Sequence, residues 1–270
     1  MTQLEQLWQA RYGRLPDHQP AAELAGLLQH RSVRAWLNRE VGDGVLRDAI
    51  AAAQSASTSS HLQAWSVIAI RDRSRLRRLA GWAGDQEHVA QAPLFLVWLV
   101  DWSRLQRMGA RAEQPCAGVD FLEGYTLGVI DAALAAQNAS VFLESQGLGI
   151  VYIGGLRNQP EAVASELALP PGSFAVFGMC VGYPDPAQLP AIKPRLPPEL
   201  ILHEERYTPG ADEDRHIAAY DQLMHDYQKS SDRPSRAWSL QSLARMRDAG
   251  SLTGRHRLRQ ALLHLGFQLR

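Results

Sequence analysis

The sequence has little cysteine, no excess charge of either sign and no hydrophobic run long enough to span a bilayer. Cys116 and Cys180 are its only cysteines and lack metal-site spacing, which argues against a disulfide scaffold and predicts a reducing cytoplasm. Lys plus Arg number 28, as do Asp plus Glu, so charge does not favour nucleic acid or an anionic membrane as a partner. The longest apolar run, 92–100, is half of the ~20 residues that cross a bilayer. We therefore expect a soluble, cytoplasmic protein without a metal.

Apolar periodicity and turn residues predict both helices and strands. Helices are expected at 21–29, 45–53, 73–82, 120–146, 161–167, 215–229, 240–248 and 256–265. Strands are expected at 65–71, 93–100 and 174–184, with a further β-branched run at 150–153. Residues 1–20 contain Gly13, Pro16 and Pro20, which predicts an N-terminal arm rather than a core element. No repeat or low-complexity linker divides 21–270, which we expect to form a single domain.

Two short basic segments have the composition of an anion site. His30-Arg31-Ser32-Val33-Arg34 combines guanidinium groups, which bind phosphate bidentately, with a neutral serine donor. Lys193-Pro194-Arg195 places two cations around a proline, which lowers the entropy lost when both hold one anion. A solvated turn or a helix-end ion pair remains the alternative for the first segment.

Hydroxyl and glycine clusters mark two further candidate ligand contacts. Ser55–Gln63 is rich in hydroxyl groups that can donate to a phosphate or a ribityl chain, or can simply form a polar loop. Gly154-Gly155 follows the β-branched run, so the backbone there either turns tightly or lets a flat group approach its N–H groups. No Gly-x-Gly-x-x-Gly follows a strand, which argues against a Rossmann domain.

Small residues recur along the predicted helix 120–146, on neighbouring turns, at Gly124, Gly128, Ala132, Ala135 and Ala139. Such a stripe allows another helix or backbone to approach closely. A core contact within the chain and a contact between subunits both remain open.

In this order and spacing, the segments resemble the nitroreductase family, and within it the oxygen-insensitive NADPH nitroreductase and flavin reductase group. The resemblance covers roughly residues 22–245. It rests on six segments in the family's order: His30–Arg34, Ser57–Gln63, Gln86–Ala92, Gln137-Asn138-Ala139, Gly147-Leu148-Gly149 with Tyr152–Asn158, and Lys193–Pro197.

The resemblance implies an α+β fold, a central mixed β-sheet flanked by helices with a C-terminal helical extension, and a homodimer that binds FMN. His30, Arg31 and Ser32, with Lys193 and Arg195, would hold the FMN phosphate, and Arg34 would lie near the pyrimidine edge of the flavin. The remaining FMN contacts would be Thr58, Ser60, Gln86, Ile153, Gly154 and Gly155. No catalytic side chain is implied, because the flavin carries the chemistry.

The implied activity is that of an FMN-dependent NAD(P)H oxidoreductase, transferring hydride by a ping-pong scheme to nitroaromatics, quinones or free flavin. A reductase for another electron-poor acceptor such as a metal oxyanion, and a non-catalytic flavin-binding regulatory protein, are the alternatives. NADPH is the expected donor, with NADH as an alternative. A predicted mobile, basic loop at 229–236 would read its 2′-phosphate through Lys229, Arg233 or Arg236. The resemblance explains neither the N-terminal extension 1–20 nor His61.

Overall fold

The structure is a computed structural model that describes residues 1–230 and 234–270. These residues contain eleven α-helices and four β-strands, which confirms the predicted α+β class. The helices are α1 (Gln3–Tyr12), α2 (Leu24–Leu28), α3 (Asp43–Gln54), α4 (Arg73–Trp82), α5 (Glu87–Ala90), α6 (Ser103–Ala112), α7 (Leu122–Ser145), α8 (Pro160–Glu166), α9 (Glu213–Ser230), α10 (Trp238–Arg245) and α11 (Leu258–His264). The strands are β1 (Trp65–Ile70), β2 (Leu94–Asp101), β3 (Gly149–Ile153) and β4 (Ser173–Gly182).

Contacts divide the described chain into two compact units. The first unit consists of Met1–Arg31 and Pro190–Leu252, and the second of Ser32–Leu189 and Thr253–Arg270. All four strands belong to the second unit. The sequence predicts that residues 21–270 form a single domain. Cooperative unfolding of these residues would test this expectation, which stays a prediction.

The sheet of the second unit has the strand order β1-β2-β4-β3. A mixed sheet was expected, but all three strand pairs are antiparallel. Within the described part of the chain, parallel pairing occurs at one isolated bridge, between Ser32 and Ile150. The extended chain at Ser32 therefore lies beside β3 without adding a full strand to the sheet.

Strand β2 is central and buried on both faces, as its continuous apolar run predicts. Because side chains alternate along a strand, Phe95, Val97 and Leu99 point to one face and pack with residues such as Leu76 and Leu79 of α4. Leu94, Leu96 and Trp98 point to the other face, where α3 and α7 cover them. Each such side chain stabilises the fold by roughly 1.5–3 kcal/mol on burial. The sheet is therefore a stable element from which the loops at its ends extend.

Helix α7 is the core helix of the second unit, although it is long and apolar enough to cross a membrane by length and composition. Its small residues are buried against the sheet: a Cβ on Gly128 would lie 2.5 Å from Cγ1 of Val100. The stripe of small residues therefore makes a contact within the chain. The structure supports this core interpretation over a subunit contact.

Helix α1 lies within the segment that the sequence predicted as an arm outside the core. It begins with a capping box, in which the Thr2 side chain accepts from the Glu5 amide and the Glu5 carboxylate accepts from the Thr2 amide. It ends at Gly13, whose φ of 70° suits glycine. Leu7 and Arg11 are buried, so one face of this helix belongs to the interior of the first unit.

Candidate functional site

The Gly-Gly segment meets Gln86 in the second unit. Strand β3 ends at Ile153, and Gly154 and Gly155 open a short 3-10 turn. A Cβ on Gly155 would lie 2.3 Å from the Ala83 carbonyl oxygen and 2.6 Å from Nε2 of Gln86. Gln86 itself donates from Nε2 to the Ala83 carbonyl at 2.7 Å. The close approach that requires glycine at 155 is therefore made by the chain itself, and it brings two predicted site residues, Gln86 and Gly155, together.

Ile153, also predicted to contact the flavin, has a buried side chain in the core of the second unit. Any contact that it makes with a ligand must therefore be made by its backbone. Gly154 has Arg157 beside it, since a Cβ there would lie 3.1 Å from Nη2 of that guanidinium. Nη1 of Arg157 donates to the Val176 carbonyl, which holds the guanidinium against the sheet.

A buried carboxylate organises the predicted hydroxyl segment. Thr58 Oγ1 donates to Asp131 Oδ2 at 2.6 Å, and the amides of Ser59 and Ala64 donate to the same carboxylate at 3.1 and 3.0 Å. Thr58 Oγ1 also accepts from the Gln63 amide at 2.9 Å. The Thr58 hydroxyl therefore already donates its one proton to Asp131, and this contact holds the loop. Asp131 was not predicted as a site residue from the sequence. The signal that could have revealed it is the presence of a carboxylate among the apolar residues of the helix.

Three residues of this loop have left-handed backbone conformations without being glycine. They are Ser60 (φ 49°), His61 (φ 56°) and Gln63 (φ 51°). Such conformations cost roughly 1–2 kcal/mol per residue and persist where the surroundings impose them. Here the hydrogen bonds to Asp131 impose them, and they leave the Ser60 side chain exposed. This exposure is compatible with the predicted role of Ser60 as a ligand donor, which stays a prediction.

The first unit joins the two predicted phosphate segments through one buried side chain, Arg11. Its guanidinium donates to the carbonyl of His30 at 2.6 Å and to that of Lys193 at 2.7 Å. The Arg195 amide in turn donates to the Arg11 carbonyl at 2.8 Å. Residues more than 160 positions apart in sequence are thereby held next to each other. Arg11 itself was not among the predicted site residues, because the sequence offers no sign that this residue of the extension is buried.

Arg31 has a buried Nε atom without a hydrogen-bond partner among the described residues. A buried donor of this kind costs free energy unless a partner reaches it. An anion at this position would supply the missing acceptor. Arg31, with the exposed side chains of Lys193 and Arg195, therefore fits the phosphate of a ligand such as FMN.

Ser32 and Arg34 belong to the second unit, where they flank β3. The Val33 amide donates to the Ile150 carbonyl at 2.9 Å, and the Val33 side chain is buried against Gly149. This anchoring leaves Arg34 exposed, with Nη1 donating to the Ser32 carbonyl at 3.2 Å. Burial, and to a smaller degree the charge of Arg34, lower the pKa of His88.

The predicted nicotinamide residues have different positions. Lys229 lies in the last turn of α9, so the predicted loop 229–236 begins inside a helix. Arg233 lies outside the described residues. The Arg236 amide donates to Oε1 of Gln228 at 2.7 Å, which brings its backbone to the same helix end as Lys229. No group of three or more His, Cys, Asp or Glu side chains suited to a metal ion occurs in the part of the chain that the structure describes.

Comparison with known proteins places this chain in a family. The nitroreductase family matches residues 27–183, and the C-terminal domain of the nitroreductase family matches residues 193–270. The chain therefore belongs to the nitroreductase family, as its sequence motifs predicted.

Individual relatives are similar over most of their length. The oxygen-insensitive NADPH nitroreductase of Salmonella typhimurium is 42% identical over 208 residues, which cover 77% of this chain and 82% of that protein. The FMN reductase (NADPH) of Bacillus subtilis is 37% identical and covers 80% of this chain and 88% of its own. Among solved structures, B. megaterium NfrA2 superposes with a TM-score of 0.86 at 32% identity, covering 93% of this chain and all of that one.

Proposed function

We propose that this chain is an FMN-dependent NADPH oxidoreductase that reduces nitroaromatics, quinones or free flavin. Membership of the nitroreductase family, with relatives named as NADPH nitroreductase and FMN reductase, supports the reaction class. The observation in the structure that carries the cofactor assignment is the joining of His30 and Lys193 at one buried guanidinium. The residue after His30, Arg31, adds a buried Nε atom that has no hydrogen-bond partner among the described residues.

The protein's own residues have the task of binding and orienting the cofactor. His30, Arg31, Lys193 and Arg195 would bind the FMN phosphate, with Ser32 adding a neutral donor. Ionised donors form the stronger hydrogen bonds to phosphate oxygens, and a guanidinium can present two parallel N–H groups. When bound, FMN supplies the hydride chemistry between nicotinamide and acceptor.

Arg34 and the Gln86–Gly155 contact would serve the ring system. A guanidinium held near the pyrimidine edge stabilises negative charge there without having to reorganise during the reaction. The backbone at Gly154 and Gly155 can lie near a flat ring because no Cβ stands in the way. Thr58 and Ser60 would contribute from the loop that Asp131 holds, with Ser60 offering the more accessible hydroxyl.

A homodimer is part of this proposal, and the exposed face of α7 supports it. Ile130, Leu134 and Val141 lie on one face of α7 and expose 51%, 42% and 40% of their surface. Their spacing of four and seven residues places all three on one face of α7, opposite the buried small residues, with the exposed polar side chain of Gln137 between Leu134 and Val141. An exposed apolar stripe of this kind is typical of a protein contact. We further propose that the protein is cytoplasmic, as its cysteine content indicates.

The colour of the purified protein tests the function. The expected result is a yellow protein with one non-covalent FMN per chain, bleached by NADPH under anaerobic conditions and recoloured by a quinone. A protein that holds FMN but is not bleached by NADPH or NADH would be a flavin-binding protein without turnover. A colourless protein that does not bind added FMN would contradict the cofactor assignment itself.

A further inference from the structure

The N-terminal extension contributes a buried cation that lies outside the segments shared with the family. The family match begins at residue 27, whereas α1 spans Gln3–Tyr12. Arg11, in the last turn of α1, is only 3% exposed. We propose that Arg11 is a positioning residue, which holds the backbones of two cationic segments so that their side chains bind the FMN phosphate. This inference rests on the proposed function, in which those segments bind FMN.

The guanidinium of Arg11 contacts three carbonyl oxygens. Nε donates to Leu28 at 3.1 Å, Nη2 to His30 at 2.6 Å and Nη1 to Lys193 at 2.7 Å. A planar guanidinium presents five N–H groups in a fixed fork, so these three contacts fix the carbonyls relative to one another. The His30 carbonyl precedes Arg31, whose buried Nε has no hydrogen-bond partner among the described residues. The geometry of Arg11 therefore sets where the chain presents that donor.

The second segment is fixed at all three of its residues. The Lys193 carbonyl accepts from Arg11, and the Arg195 amide donates back to the Arg11 carbonyl at 2.8 Å. Between them, the Pro194 carbonyl accepts from the buried hydroxyl of Tyr220 at 3.1 Å. The backbone of this segment is thus bound on two sides, while the side chains of Lys193 and Arg195 stay exposed. A fixed backbone with exposed cations is the arrangement that a pre-organised anion site needs.

Lysine could not replace this arginine without loss. A lysine keeps the charge, but its ammonium group is a compact point donor on a flexible stem and lacks the planar fork. It cannot span the carbonyls of Leu28, His30 and Lys193 in the same geometry. The substitution Arg11→Lys therefore separates the positioning role from the mere presence of a positive charge.

Riboflavin provides the decisive comparison, because it has the ring system and ribityl chain of FMN but no phosphate. The full-length chain, stripped of flavin by dialysis, is titrated with FMN and with riboflavin while flavin fluorescence is followed. For Arg11→Lys and Arg11→Met, we expect FMN affinity to fall about tenfold or more, or about 1.4 kcal/mol, with riboflavin affinity constant within about twofold. Arg195→Ala, which removes a proposed phosphate contact directly, should show the same pattern.

Arg14 offers a matched control three residues further along the chain. Its guanidinium is about half exposed and pairs with Glu199. Arg14→Lys and Arg14→Met should leave both flavin affinities unchanged.

The outcomes separate this inference from the function on which it rests. If the wild-type chain binds FMN no more tightly than riboflavin, the proposed phosphate site is wrong. If the wild type prefers FMN and Arg11→Lys keeps that preference, the positioning role is overturned. An equal loss for both flavins, or failure of both Arg11 variants to fold, would also overturn it and leave Arg11 with a structural role only.

Discussion

Thr58 Oγ1 donates to Oδ2 of Asp131 at 2.6 Å, and through this contact helix α7 determines the conformation of a loop more than 60 residues earlier in the chain. The same carboxylate accepts the amides of Ser59 and Ala64. Between these two residues the backbone passes through left-handed conformations at Ser60 and His61. The loop therefore depends on one buried side chain for its shape.

Replacing Asp131 by Ala should lower the free energy of unfolding by about 2–4 kcal/mol, because it leaves two amides and a hydroxyl without their acceptor. Urea unfolding measures this change. Thr126→Ala is the control on the same helix, since the exposed Thr126 hydroxyl donates to the Leu122 carbonyl within α7. Equal stability of Asp131→Ala and the wild type would show that the loop is held by other contacts.

Gly155 should tolerate no side chain. In Gly155→Ala the new methyl group would lie 2.3 Å from the Ala83 carbonyl oxygen and 2.6 Å from Nε2 of Gln86. Such overpacking costs typically about 1–3 kcal/mol, and it must displace either Gln86 or the turn that follows β3. The thermal midpoint and the urea midpoint should both fall.

The matched control is Gly44→Ala in α3, where a Cβ would meet no heavy atom of the described residues within 4 Å beyond its chain neighbours and its own helix backbone. Its stability should stay constant or rise by up to about 1 kcal/mol. A Gly155→Ala protein as stable as the Gly44→Ala protein would mean that the backbone at 155 relaxes freely, and that the glycine is not required there.

How far the sequence predicts this fold depends on the pattern of each element. Strand β2 and helix α7 were predictable because a continuous apolar run and a long proline-free alanine-rich run have few alternatives. Helix α1 was missed because half of its residues are polar and Gly13, Pro16 and Pro20 follow closely. Its capping box, Thr2 with Glu5, was nevertheless visible in the sequence.

The residues of the candidate site also differ in how far the sequence predicts them. Residues with a distinctive composition, such as His30–Arg34 and Lys193–Arg195, could be selected from the sequence alone. Arg11 could not, because its importance comes from contacts made across long stretches of chain and a single Arg has no local pattern. Asp131 offered one signal, a carboxylate within an apolar helix, but its partners lie more than 60 residues away in sequence. The small-residue stripe of α7 was visible, but whether it faced the sheet or a second subunit required the contact of Gly128 with Val100.

His88 should make the stability of the protein fall as the pH is lowered. Its Nε2 atom is buried and has no hydrogen-bond partner in the part of the chain that the structure describes. Burial, with a smaller contribution from Arg34, lowers the pKa of His88 below its ordinary value of 6.5. The unfolded chain therefore takes up this proton at a higher pH than the folded chain does.

The contribution of His88 is fully present above the unfolded value of about 6.5, and it is lost as the pH falls from there towards the lowered folded pKa. Urea unfolding between about pH 5 and 8 measures the effect. His88→Gln removes this titration, so its stability should depend less steeply on pH than that of the wild type. Parallel curves for the two proteins would assign the pH dependence to other groups.

The exposed apolar stripe of α7 should control assembly. Leu134→Arg places a charge at the middle of Ile130, Leu134 and Val141 and should convert the proposed dimer into a monomer, measured by light scattering. Because Leu134 is 42% exposed, the monomer should remain folded. Leu243→Arg, at an exposed leucine of α10, is the control and should leave the dimer intact. A wild-type monomer, or a dimeric Leu134→Arg variant, would contradict this assignment.

The C-terminal end of α9 should determine the choice between NADPH and NADH. Lys229 lies in the last turn of that helix. The Arg236 amide donates to the side chain of Gln228, which directly precedes Lys229 in the sequence. The two nicotinamides differ by the 2′-phosphate, and a hydrogen bond between it and a cationic side chain is worth about 1.5–3 kcal/mol, or roughly ten- to a hundredfold in specificity. The double variant Lys229→Gln with Arg236→Gln should therefore raise the KM for NADPH, leave that for NADH nearly constant and leave the FMN content unchanged.

Arg215→Gln, at the other end of α9 where Arg215 pairs with Asp212 at 3.1 Å, should change neither KM. Equal losses with both nicotinamides, or a wild type without preference, would show that these cations do not read the 2′-phosphate.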